Sequence, residues 1–404
     1  MKIRSITVFC QPGFPVNRLL LQKVGIFANH AKKIFEAAGF EVQSLRLATP
    51  PFEQYLAPID LPAAAEQYAI EAHAEGFDYI SLGPIQAESK DWQVIPEALR
   101  RSGRIFLSGQ LTTSNGEICL EAARNCAKTI KALANLEPNG FANLRFCALA
   151  NVPAFTPFFP AAYGKAGAPV FALAIEAADL ALETFTEAPT LAEAASRLIS
   201  RTEETAARLE AAASRASQIY GYEFKGLDFT LAPFPKDAQS ICLALEALGL
   251  QAFGSAGSLF ASAFLTSTLD QARYTRTGFN GLMLPVLEDS GLARRAAEGS
   301  LSVQDLLLFS SVCGAGLDVI PIPGDTEVEE LTPVLLDLAA LSLRLGKALT
   351  ARLMPIPNKA AGDGTAFDFA FFANSRVMPL RSAPIHGKLS GNENVPIAQR
   401  RKSV

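Results

Sequence analysis

The chain predicts an α/β fold arranged in two halves of five strands each. Three observations carry this expectation. Short apolar runs alternate with stretches of helical period from the first residues onward, a long Ala-, Glu- and Arg-rich helical stretch at 171–218 interrupts them, and the alternation then resumes to residue 356. Five strands before the interruption and five after it are what two parallel half-barrels require. An eight-stranded α/β barrel with an appended subdomain is the alternative that the same pattern allows.

Taken in order, residues 3–10 form an apolar strand and 17–38 a helix closed by Gly39, a residue suited to the left-handed turn that ends helices. Residues 41–47 give the second strand, 62–75 a helix closed by Gly76, 79–82 the third strand and 92–101 a helix. The fourth strand at 104–107, a helix at 116–133 and the fifth strand at 144–150 complete the first half. A loop rich in proline and aromatic residues spans 153–169 before the long helical stretch. In the second half, strands are expected at 222–231, 250–253, 281–287, 317–322 and 349–356, separated by helices at 237–248, from 258, and at 288–297, 303–312 and 327–346. Residues 1–381 make one domain, with halves at 1–170 and 220–381, and the polar segment 382–404 reads as a flexible tail.

With 49% hydrophobic and 19% charged residues the chain can bury a large core. A net charge of -4 supplies no basic stripe to displace counterions from phosphates, so nucleic acid is not an expected partner and a small anionic metabolite is. No apolar run reaches the roughly 18 residues a membrane span needs, and the first apolar run is too short for a signal-peptide core, so a cytoplasmic protein is expected. Six cysteines without Cys-x-x-Cys spacing read as reduced thiols. Histidine chemistry has few places to sit, because His30 and His73 fall in helical patterns and His386 in the tail.

The run from Gly278 to Thr326 twice places carboxylates where an apolar strand meets a loop, the position from which a side chain can reach a crevice while its neighbours stay buried. Glu288 and Asp289 diverge by about 100° on a helix, so one is expected to face a site and the other to cap; Glu288 is the inward one. Asp318 and Asp325 bracket a buried strand pattern, with Asp325 placed as a helix N-cap after Gly324, a position that also suits an anion. Oxygen ligands from Glu288, Asp289 and Asp325 would suit magnesium or calcium, although no Asp-x-Asp-x-Asp-Gly spacing is present. Arg352 and Lys359 follow as anion-binding cations, Arg352 through its bidentate fork. The competing reading of these cations is a structural salt network with the acidic loops. Asp228, on the Thr230 face of its strand, needs a partner if buried, and Arg352 is the expected one.

Pro157-Phe-Phe-Pro-Ala-Ala-Tyr163, Gly226-Leu-Asp-Phe-Thr-Leu-Ala-Pro233, Gly281-Leu-Met-Leu-Pro-Val-Leu-Glu-Asp289, Cys313-Gly-Ala-Gly-Leu-Asp318, Pro323-Gly-Asp325 and Arg352-Leu-Met-Pro-Ile-Pro357 together resemble the prokaryotic domain-of-unknown-function family 711. The resemblance runs from about residue 3 to 378 and implies a ten-stranded α/β barrel of the glycyl-radical-enzyme type, pyruvate formate-lyase-like, as a homodimer with no settled activity. In glycyl-radical enzymes a barrel cysteine carries a thiyl radical, which makes Cys313 a catalytic candidate by resemblance. A position at a helix C-terminus opposes a reactive thiolate there, and a buried structural thiol is the competing reading. Those enzymes also store the radical on a glycine after an Arg-Val pair, whereas here the pair continues Arg376-Val-Met-Pro379, so no glycyl radical is expected. In the family the position of Asn358 is usually glycine and that of Gly164 often histidine; the loss of that histidine weighs against proton-transfer chemistry in this member. Two function classes follow. One is a non-radical enzyme with Glu288, Asp318 and Cys313 as catalytic candidates and Arg352, Lys359, Asp228 and Asp325 on the substrate; the other is a small-molecule binding or sensing protein on an inactive barrel.

Overall fold

The computed structural model describes residues 1–400. In it β1 (Lys2–Phe9), β2 (Leu45–Ala48), β3 (Tyr79–Ile85), β4 (Ile105–Gln110) and, beyond the two-residue strand β5 (Ile118–Cys119), β6 (Phe146–Ala150) pair in parallel in that order. Parallel neighbours need crossovers, supplied by α1 (Arg18–Ala37), α2 (Leu61–Ala74), α3 (Val94–Arg101) and α4 (Leu120–Ala134). In the second half β7 (Val170–Glu176) pairs in parallel with β8 (Glu223–Ala232), and β9 (Gly316–Pro323) with β10 (Leu349–Ile356). Antiparallel pairs β1 with β7 and β6 with β10 join the halves into one nine-stranded sheet, order β8-β7-β1-β2-β3-β4-β6-β10-β9. The fold is therefore mixed α/β with two parallel groups running in opposite directions, and strand pairing does not close the sheet.

Nine strands rather than ten result from three departures in the second half. β7 lies inside the stretch expected to be helical; its seven residues are all buried, and a strand covered on both faces shows no alternation to set against the helix propensity of its alanines. Only the remainder of that stretch is helical, as α5 (Ala178–Glu187) and α6 (Leu191–Tyr220). Residues 250–253 form no strand but a turn between α7 (Ile241–Glu246) and α8 (Ser258–Leu269). Residues 281–287 touch β9 at the single bridge Pro285–Asp318 and run into a 3-10 turn, Val286–Glu288. Pro285 has no N–H for a ladder, and Asn280 and Gly281 take φ of 46° and 155°, outside strand geometry. Just before this segment, Arg276 bridges Leu227 of β8 at the other sheet edge.

Three further helices are α9 (Ser290–Glu298), α10 (Val303–Phe309) and α11 (Val328–Leu345). The cap of α11 is Glu327, in a reciprocal capping box with Glu330; Asp325, the expected cap, stands two residues earlier and is exposed. The described part of the expected tail, 382–400, is docked. There β11 (Asn394–Val395) pairs antiparallel with β5, Val395 and Ile397 pack on the main core, and Arg400 N donates to Arg344 O at 3.0 Å. Residues 401–404 lie outside the described residues.

The sheet has a helix-covered apolar face and an inner polar face, and β-bulges and strand alternation decide which side chains reach the second. On β1 the register shifts between Ile3 and Ser5, so Ile3, Ile6 and Val8 all join the main core while Arg4 turns inward. Between β9 and β10 the extra residue lies on β9, which advances from Leu317 to Ile320 while β10 advances only from Ala351 to Leu353; those two stay on the core side and the regular alternation of β10 sets Arg352 inward. Opposite Arg352, Val319 takes φ 43°, a conformation that costs a β-branched residue about 1–3 kcal/mol and that persists only where the surroundings enforce it.

Candidate functional site

The inner face opens at one end into a cavity of about 270 Å³. Its wall comes from the first residues of the parallel strands or the residues just before them: Arg4, Ser44 and Arg46, Asp78 and Tyr79, Phe106, and Arg145. Because the second half runs the other way, the same end also receives Glu288 and the phenylalanines that follow β10. The site is thus built at the amino ends of the first five strands. Asn151, which ends β6 at φ 55°, belongs to the opposite end.

Glu288 is the hub of the charged wall. Its Oε1 accepts from Arg352 Nη2 at 2.9 Å and its Oε2 from Arg4 Nη2. Arg352 Nε also donates to Asp318 Oδ1 at 2.6 Å, and Arg4 reaches Glu176 at 3.4 Å. Asp318 Oδ2 has no partner among the described residues. The two carboxyls on Arg352 are driven in opposite directions. Burial raises Asp318 and the neighbouring Glu288 charge adds to the rise; at Glu288 burial is outweighed by the Arg4 and Arg352 guanidiniums, and the carboxyl is lowered.

Arg46 differs from every other arginine of the wall. It shares the inner face of β2 with Ala48, while Leu45 and Leu47 pack outward into the main core. Its exposure is 9%, Nε donates to Ser44 Oγ at 3.0 Å, and the guanidinium lies 5.1 Å from the Phe159 ring centre and 5.8 Å from that of Tyr79. Neither terminal nitrogen has a hydrogen-bond partner, and no carboxylate stands within 4.0 Å, among the described residues. Burial, followed by repulsion from Arg4, pushes its pKa down to about 9, so it stays charged at neutral pH. Arg145, by contrast, is spent on structure: Nη1 donates to the Leu99 and Ser102 carbonyls at 2.8 and 2.9 Å at the end of α3, and Nη2 to Glu137.

The other residues expected at the site go elsewhere. Asp289 turns away from the cavity to cap two helices, accepting from Leu292 N at 2.8 Å, Ser240 Oγ at 2.7 Å and Ile241 N at 2.6 Å. Asp289→Ala is expected to lower stability by about 3 kcal/mol without changing anion binding, because it removes a cap and strands buried donors; denaturant titration with a ligand isotherm reads both effects. Asp228 pairs not with Arg352 but with the 278–280 turn, accepting from Phe279 N at 2.7 Å and Asn280 N at 2.9 Å, and burial pushes its carboxyl up to about 6. Cys313 lines a separate recess with Asp270, Asn280 and Lys347, and so does not join Glu288 and Asp318. Lys359 and Asp325 lie outside the cavity, at the turn after β9 where Gly324 N donates to Lys359 O. No group of three or more His, Cys, Asp or Glu side chains gathers to hold a metal ion among the described residues; Glu288, Asp289 and Asp325 are held apart.

Arg4, Arg46 and the phenylalanine cluster were not among the expected site residues. Their signal was present: an arginine within each of the first two strand runs, and four phenylalanines in a short span, Phe367-Asp-Phe-Ala-Phe-Phe372, with Phe141 against it.

Matched against known proteins, residues 1–375 fit the family model described as Uncharacterised ACR (DUF711). The chain is 31% identical over 360 residues to a UPF0210 protein of Pyrobaculum arsenaticum, covering 82% of this chain and 78% of that one. It is 30% identical over 345 residues to a UPF0210 protein of Methanosarcina acetivorans, covering 80% and 73%. With a single family model running through the whole nine-stranded sheet and every residue of the charged wall, the chain belongs to the DUF711 family.

Proposed function

We propose that the cavity binds a small anionic metabolite on Arg46 and transfers a proton to or from it through Asp318, without a radical. The observation that carries this reading is the guanidinium of Arg46, 9% exposed and without a carboxylate partner among the described residues, in a wall where the other arginines are paired with carboxylates. A buried cation without a counter-charge is unfavourable in an empty site and is compensated when an anion enters. Asp318 has an oxygen free to face the ligand and a carboxyl raised by burial, while Glu288 on the same Arg352 is lowered. Two carboxyls held apart in this way can serve as proton donor and fixed charge.

A binding or sensing protein is the second reading, favoured by the engagement of both Glu288 oxygens with arginines. The nine strands in two opposed groups, with residues 276–287 bridging to β8 at one end and β9 at the other, support assigning the chain to the ten-stranded glycyl-radical-type barrel. Met378 and Pro379 after Arg376-Val377 support chemistry without a glycyl radical. The resemblance to that barrel supports a homodimer. No helix among the described residues is long and apolar enough to cross a membrane, and a cytoplasmic site of action is part of the proposal. The test is incubation of the protein in D₂O with 2-oxo acids, 2-hydroxy acids and phosphate esters, with and without magnesium or calcium, read by proton NMR. Solvent deuterium at the carbon next to the anionic group, lost in Asp318→Asn, is the expected result. An anion that binds on Arg46 without any exchange would establish the binding reading instead.

A further inference from the structure

We infer that the ligand class of this cavity is a monocarboxylate carrying an aromatic ring, selected over phosphate monoesters of the same ring. The inference rests on the anion-site reading and adds the ligand's charge and body to it. Charge comes first. Arg4 and Arg352 are neutralised by Glu288, Asp318 and Glu176, and Arg145 by Glu137 and carbonyls, so among the described residues Arg46 is the arginine of the wall without a carboxylate partner and with both terminal nitrogens open. One guanidinium fork matches one carboxylate with two parallel hydrogen bonds. A phosphate monoester carries about 1.5–2 negative charges at neutral pH. Its surplus charge would meet no second free cation and would share the cavity with Glu288, whose ionised form is favoured.

The body follows from the walls. Tyr79 and Phe159 flank the guanidinium, and Phe106, Phe141, Phe158 and Phe369 continue the lining. Phe106 already packs edge-to-face on both Tyr79, at 5.4 Å and 78°, and Phe159, at 5.3 Å and 63°. A planar ring entering beside Arg46 extends the same edge-to-face geometry, worth about 0.5–1.5 kcal/mol per ring pair beyond burial. A cavity of about 270 Å³ falls below the roughly 300–1,000 Å³ of drug-sized sites, which limits the ligand to one ring with a short chain.

Isothermal titration of the full chain with phenylacetate, phenyl phosphate and acetate at one ionic strength and pH 7.5 tests this. Phenylacetate is expected to bind at least tenfold tighter than either of the others. Phe159→Leu should weaken phenylacetate about tenfold and leave acetate within threefold. Arg46→Met should weaken phenylacetate at least hundredfold; if that variant does not fold, Arg46→Lys, which keeps charge but loses the fork, should weaken it about tenfold. A smaller or reversed preference for phenylacetate over phenyl phosphate or acetate overturns the ligand class and leaves the anion site standing. Failure of all three anions to bind, or binding unchanged in a folded Arg46 variant, overturns both.

Discussion

Arg46→Met is expected to stabilise the unliganded protein by about 1–2 kcal/mol while it abolishes anion binding. Burying a guanidinium without a partner costs several kcal/mol even after relaxation, and the two rings beside it return only about 0.5–2 kcal/mol each. Methionine fills similar volume, keeps a favourable contact to both rings through its thioether, and removes the desolvated charge. A cation that served packing would behave in the opposite way, because its removal would lose contacts without relieving strain. Denaturant unfolding of the two proteins, with ligand titration on each, separates the cases: a variant at least 1 kcal/mol less stable that still binds anions would remove Arg46 from the site. The expected combination of higher stability and lost binding is the signature of a residue held for function at the expense of the fold.

How far the residues alone disclosed this arrangement depends on which physical signal each carried. The first five strands were legible because each is a short apolar run bounded by helical periodicity, with Gly39 and Gly76 closing the first two helices, and the structure places them close to where the periodicity did. β7 was not, since an alanine-containing run buried on both faces looks the same as a buried helix. Residues 281–287 misled in the other sense: their composition is strand-like, but Pro285 and the positive φ of Asn280 and Gly281 allow no more than one bridge. At the site, Glu288 and Asp318 were visible as charges beside apolar runs, and Glu288 faces inward while Asp289 caps, although Glu288 ends a 3-10 turn and Asp289 is an extended N-cap rather than a residue of the helix. What sequence could not supply was partnership. Arg352 meets Glu288 and Asp318 rather than Asp228, whose carboxylate is taken up by the Phe279 and Asn280 backbone, and Arg46 is distinguished only by the absence of a counter-charge.

Arg352→Met should produce the largest loss of stability, about 3–5 kcal/mol at neutral pH, because it leaves two buried carboxyls without their shared cation. The loss should also depend on pH in a direction the structure dictates. In the native protein Glu288 is lowered, so its contribution to stability is present above its unfolded value and is lost as pH falls through the folded one. Without Arg352 one of its two opposing guanidiniums is gone and Asp318 loses the cation that offsets burial, so the folded values of both carboxyls move upward. A carboxyl raised above its unfolded value makes stability fall as pH rises between the two values, since the folded state then holds more protons than the unfolded one. The gap between native and variant proteins should therefore be smaller at pH 4.5 than at pH 7.5. Equilibrium denaturation at the two pH values measures it. A loss that is independent of pH would mean that Arg352 stabilises the fold through packing alone, and that Glu288 and Asp318 are not electrostatically tied to it.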